Sequence, residues 1–136
     1  MNITGIDKAM RDLQKLAEGA QRAQRAGEKR IADKIAAEAQ VAAPGSLSAK
    51  INVTQTETKT TINGGDDFSA WVEFGTGENA ALFLASQPPE VVEEARKFFV
   101  NGKGRGAAKP FFFPSVFRNI PNLIPAVEEE LGKLLK

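Results

Sequence analysis

Apolar residues repeat at helical spacing from the start of the chain: Ile6, Met10, Leu13 and Leu16 or Ala17, then Ala20, Ala23, Ile31, Ile35, Ala39 and Ala42. Thr4 and Asp7 have the spacing of a capping box, so a helix is predicted from near residue 5, and Pro44-Gly45 ends it. The stripe is thin and alanine-rich, which calls for a closely packed neighbour, and Arg22, Arg25, Lys29, Arg30 and Lys34 read as a solvated face. Gly19 and Gly27 each cost about 1 kcal/mol relative to alanine inside a helix, which leaves open one long helix or two that break near Gly19.

From Leu47 the period changes to two. Leu47, Ala49, Ile51 and Val53 alternate with Ser48, Lys50, Asn52 and Thr54, the pattern of a half-buried strand. Thr58 to Asn63 is rich in β-branched residues and predicts a second strand, closed by the turn Gly64-Gly65-Asp66-Asp67. Phe68, Ala70, Val72 and Phe74 alternate with Ser69, Trp71 and Glu73, which predicts a third strand stopping at Gly75-Thr76-Gly77. Asn79 to Gln87 is apolar without a period, and Pro88-Pro89 opens a helix over about Glu90 to Val100. A basic loop, Asn101 to Gly106, then leads to Lys109-Pro110-Phe111-Phe112-Phe113-Pro114, an extended segment pinned by two prolines. Leu123, Val127, Leu131, Leu134 and Leu135 predict an amphipathic C-terminal helix.

These elements predict an α+β fold. A three- to four-stranded antiparallel sheet is packed by the long N-terminal helix and the C-terminal helix, with a helical insert before the last strand. The 136 residues suit a single domain, 1–136, with 78–109 as the insert.

Composition narrows the chemistry. The chain has no Cys, no His and no Tyr, which removes the usual zinc ligands, thiol nucleophiles and neutral-pH proton shuttles. A net charge of +1 argues against indiscriminate nucleic-acid binding, so any electrostatic role is local. The N-terminus lacks the pattern of a secretory signal and no run is long enough to span a bilayer, so a protein made and kept in a cytosol-like compartment is expected. Neither a metal motif nor a cofactor motif is visible. Gly102-Lys103-Gly104-Arg105-Gly106 lacks the Lys-Ser or Lys-Thr pair of a phosphate-binding loop. Glu73 has no second catalytic group at a defined spacing, so no enzyme is expected, and the weakest reading is a magnesium hydrolase using Glu73 and Asp66.

Three features in order carry a resemblance: Ala43-Pro44 before the first strand, then Trp71-Val72-Glu73-Phe74-Gly75-Thr76, then Pro110-Phe111-Phe112-Phe113-Pro114 before the terminal helix. The chain resembles the neck, or tail-completion, proteins of tailed bacteriophages, which join head and tail. On that resemblance Pro44, Val72, Glu73, Phe74, Gly75, Thr76, Pro110, Phe111 and Pro114 are the structural motif residues, with no catalytic residue among them. The resemblance implies a virion component, made in the host bacterial cytoplasm, that forms a ring of its own copies against neck, portal-side or tail-tube proteins around the DNA channel. It implies no membrane contact.

Within that frame, Glu73 is expected to turn outward toward a backbone amide or a basic residue of the next subunit. Trp71 is expected either at a subunit contact or under the protein's own helix. Three consecutive Phe in an extended segment cannot all enter one core, so Phe111 and Phe113 are expected inside and Phe112 toward a partner, or the reverse in the other register, with Phe98 and Phe99 as further interface residues. Lys103, Arg105 and Lys109 are either contacts to DNA in the channel, sequence-blind and salt-dependent, or a solvated turn. The alternative function is a small nucleic-acid-binding module that uses this basic loop.

Overall fold

The computed structural model describes residues 6–98 and 104–134. Thr4, Phe99 and Lys103 therefore lie outside the described residues. The first helix, α1 (Ile6–Ala42), runs unbroken through both Gly19 and Gly27. Its buried residues Ala23, Gly27, Ile31, Ile35 and Ala39 form one row at a spacing of four.

 Gly27 within the row lets a neighbouring helix approach closely.

After Pro44 the chain forms a 3-10 turn, Gly45–Lys50, and then the hairpin β1 (Asn52–Gln55) and β2 (Thr60–Asn63). The strands are antiparallel, with Val53 opposite Ile62 and Gln55 opposite Thr60. Side chains anchor the hairpin along α1 at two levels. Gln40 donates to the Ile51 carbonyl at 3.1 Å, and Gln55 donates to the Arg25 carbonyl at 2.9 Å. The Arg25 guanidinium in turn donates to the Glu57 carbonyl in the hairpin turn.

Four helices follow before the C-terminal one: α2 (Asp67–Phe74), α3 (Gly77–Leu84), α4 (Pro89–Arg96) and α5 (Phe113–Asn119). A 3-10 turn at Ile120–Asn122 joins α5 to α6 (Leu123–Leu134). α6 packs on α1, and the two backbones come close together at Gly27. A Cβ there would stand 2.9 Å from the backbone of Val127, so glycine is what lets the two helices meet.

Among the described residues, which are mostly helical, the expected three- to four-stranded sheet is corrected to this single two-stranded hairpin. Three misread segments account for the difference. Leu47 to Lys50 is a 3-10 turn that buries Leu47 and Ile51, four residues apart, so the strand begins only at Asn52. Residues 68–74, read as a third strand, form α2. Ser69, Ala70, Glu73 and Phe74 are buried, a helical period that the alternation of Phe, Ala, Val and Phe concealed. The segment at 104–110 is a strap without regular structure, and among the described residues no strand follows the insert.

Three apolar clusters make the core. The first joins Ala36, Ala39, Leu47, Ile51 and Phe111; the second Ala70, Phe74, Val91 and Ala95; the third Ile31, Ile35 and Ala126. Among the described residues, no helix is long and apolar enough to cross a membrane.

Candidate functional site

Two of the motifs singled out in the sequence, Trp71–Thr76 and Pro110–Pro114, meet in space, and a carboxylate joins them. α2 begins where Asp66 accepts from the Ser69 amide at 3.0 Å, an N-cap, while the other Asp66 oxygen takes the Lys50 ammonium at 2.7 Å. The Lys50 charge and these bonds hold the Asp66 carboxyl down from 3.8 to about 2. So started, α2 carries Glu73 inward, where it is 3 % exposed.

Glu73 accepts three backbone N–H groups from the other motif. One oxygen takes Phe111 at 2.6 Å and Phe112 at 2.9 Å, and the second takes Phe113 at 2.9 Å. These amides open α5, so a remote side chain caps that helix end and sets a negative charge where its unpaired donors lie. Burial pushes the Glu73 carboxyl above its usual 4.5, and the three amide bonds oppose that rise.

The residues beside Glu73 tie down the strap that leads into α5. The Lys109 N–H donates to the Val72 carbonyl at 2.8 Å. Thr76 forms a two-way pair with Gly106: its own N–H donates to the Gly106 carbonyl at 2.9 Å, and its Oγ1 accepts the Gly106 N–H at 2.7 Å. Between them Gly75 has φ +80, and a Cβ there would meet the Ala108 nitrogen at 2.9 Å, so a side chain is excluded on two counts. Phe74 completes the motif by stacking on Phe113, ring centres 5.8 Å apart. Pro110 precedes the three amides and Pro114 sits in the first turn of α5, where a missing N–H costs nothing.

Several expected interface residues are corrected by this geometry. Glu73 does not face a neighbouring subunit: its partners are backbone amides of its own chain. Phe112 is half-buried and packs against both the first and third clusters, so it does not point outward. The premise of an extended Phe segment fails because the chain turns into a helix there. Phe111 thereby enters the first cluster, Phe112 bridges the first and third, and Phe113 packs on the second. Phe98 also packs on the second cluster. Trp71 is 43 % exposed and Phe68, one turn earlier, 56 %, so α2 presents an aromatic pair at the surface. Arg105 and Lys109 are both exposed, and Pro44 stands between α1 and the 3-10 turn.

A cavity of about 700 Å³ lies between the hairpin, α2 and the start of α5, with Asp66, Glu73, Glu94 and Phe98 among its lining residues. The oxygens of Asp66 and Glu73 are already engaged by Lys50, Ser69 and the three amides, which does not favour the magnesium hydrolase reading. Among the described residues, no group of three or more acidic side chains is placed to hold a metal ion.

Sequence reading missed the partners of Glu73, since a carboxylate reaching backbone amides 38 to 40 residues away leaves no local signal. It also missed α2, although Asp66 followed three residues later by Ser69 is a capping arrangement that could have shown it. No protein-family model, curated protein or solved structure matches this chain.

Proposed function

We propose that this protein is a structural subunit of the neck or tail of a tailed bacteriophage, which helps complete the tail and join it to the DNA-filled head. It acts as one member of a ring, made in the host bacterial cytoplasm and carried in the virion, and it works without catalysis. One observation supports the reading most: two of the three features that carry the resemblance are bound to each other through Glu73, Thr76 and Val72. A conformational lock of this kind suits a part that holds shape under load, because its buried polar groups fix one arrangement of chain. Its partners are its own copies and the adjoining neck, portal-side or tail-tube proteins. Exposed Arg105 and Lys109, with Lys103 in the same loop of the sequence, are the residues for non-specific contact with DNA in the channel.

The test is negative-stain imaging of particles from a phage carrying the gene and from one lacking it. Filled heads separated from finished tails in the deletion are the expected result. Intact, infectious particles would overturn the proposal and turn attention to nucleic-acid binding by the isolated chain.

A further inference from the structure

The two edges of the hairpin differ in what lies beside them. Main-chain bonds in an antiparallel pair alternate, and where the hairpin turns the Thr56 N–H donates to the Lys59 carbonyl at 2.8 Å. On that register Thr54 with Thr61 and Asn52 with Asn63 exchange main-chain bonds, while Gln55 with Thr60 and Val53 with Ile62 do not. The N–H and C=O groups of Thr60 and Ile62 therefore point away from β1, and among the described residues they have no hydrogen-bond partner. An open edge is ordinarily blunted by a charge, a proline or a bulge, or covered. β2 reads Thr-Thr-Ile-Asn in continuous register, with none of the first three devices.

The cavity between the hairpin, α2 and the start of α5 lies along this edge. β1 gives its lining only Asn52 and Thr54, whose side chains face outward, whereas β2 gives all four of its residues, as a strand does when its side is open. Val53 and Gln55, which carry the outward main-chain groups of β1, do not line it. Phe98, just after α4, and Phe113 and Val116 of α5 also line the space. At one end the edge is stopped by the Phe112 ring, which a Cβ on Gly64 would meet at 3.0 Å.

Donors and acceptors that alternate along a strand edge are matched by an extended polypeptide main chain, whose own groups pair with them from about 5 Å away. The space is walled, so it admits one segment and not the hairpin of a second copy, which Gln40, Gln55 and Arg25 fasten along its own α1. The lining holds the carboxylates of Asp66, Glu73 and Glu94 and no Lys or Arg, so an acidic segment is disfavoured. Lys50 and Lys97 pair two of these carboxylates, which leaves main-chain pairing as what selects the occupant.

We infer that the open edge of β2 receives one extended, non-acidic segment of a partner protein, which pairs with the main chain of Thr60 and Ile62. Its alternate apolar side chains lie against Phe113 and Val116, and its small polar ones beside Thr61 and Asn63. The inference names a binding surface and the chemistry it takes, and it does not rest on the phage role.

Amide hydrogen exchange of the full chain, followed by nuclear magnetic resonance, tests it with the peptide acetyl-Thr-Val-Thr-Val-Thr-amide at millimolar concentration. In the free protein the Thr61 and Asn63 amides should exchange slowly and those of Thr60 and Ile62 fast. The peptide should slow Thr60 and Ile62 by about tenfold or more and leave Thr61 and Asn63 unchanged. A copy of the peptide N-methylated at its valines, which cannot pair along an edge, should have no effect, and one with Glu in place of Thr should bind about tenfold more weakly or worse. Slow exchange of Thr60 and Ile62 in the free protein at every concentration would mean that the edge is already closed. Protection that grows with protein concentration alone would give the edge to a second copy. Either result, no protection by the peptide, or equal protection by its N-methylated form would overturn the inference, and none of them bears on whether heads and tails separate in the particle experiment.

Discussion

Replacing Glu73 with alanine leaves the N–H groups of Phe111, Phe112 and Phe113 without the acceptor that all three share. Phe111 is 2 % exposed, so its donor stays dry, whereas water can reach the half-buried Phe112 and Phe113. A stranded buried donor costs about 1–3 kcal/mol and a partly hydrated one less, so the sum is about 3–5 kcal/mol. For a domain of this length each kcal/mol moves the melting temperature by about 3–4 °C, which makes the expected loss about 9–20 °C. Denaturant unfolding followed by far-ultraviolet circular dichroism measures the free energy. Amide exchange at Phe111, Phe112 and Phe113 should accelerate in step. Glu73→Gln is the control: it keeps one acceptor oxygen but turns an NH₂ toward the chain's own donors, and its loss should fall between wild type and alanine. A loss under about 1 kcal/mol for Glu73→Ala, no more than an ordinary surface bond, would refute the idea that this carboxylate holds the two motifs together.

The glycines of α1 should respond in opposite directions. Gly27→Ala gains about 1 kcal/mol of helix propensity but forces α6 away at the Val127 backbone, so net destabilisation of about 1–2 kcal/mol is expected by thermal unfolding. Gly19→Ala meets only the far ends of the Leu134 and Arg22 side chains and should be neutral or stabilising by up to about 1 kcal/mol. Asp66, depressed from 3.8 to about 2, stabilises the fold above its unfolded value and loses that contribution as pH falls through about 2. Asp66→Asn should therefore flatten the acid limb of a stability profile taken between those values; an unchanged limb would count against the Lys50 pairing. Glu73 has the reverse sign, because its folded value is raised: its titration lowers stability as pH rises through that value and is no cause of acid unfolding.

Much of the framework could be read from residues alone. The apolar stripe of α1, its end before Pro44, the Thr-rich second strand, the start of α4 at Pro88-Pro89 and the amphipathic α6 all rest on local pattern and chain punctuation. What failed was a choice between periods over short stretches. Seven residues from Phe68 to Phe74 satisfy alternation, yet the cap at Asp66 and the pull of Phe111 to Phe113 on Glu73 favour a helix. The candidate site was legible as two motifs and illegible as a pair, because contact between residues 73 and 111 is decided by tertiary packing. The direction of Glu73 followed from the same error: in a strand it would alternate outward, while in α2 it shares the buried face with Ser69 and Phe74.

The bonds from Val72 to Lys109 and from Thr76 to Gly106 bring the two ends of the intervening segment together before any of it has to be specified. Between them the chain behaves as a cassette closed at its base. Doubling the length of such a loop costs only about 0.6 kcal/mol of closure entropy, so inserted or removed residues there would be felt weakly by α1, α6 and the hairpin. What the present segment adds is a lid of Val91 and Ala95 over Phe74. A replacement need only present two small apolar residues at that spot, which makes this stretch the natural place for the protein to acquire a new surface without relearning how to fold.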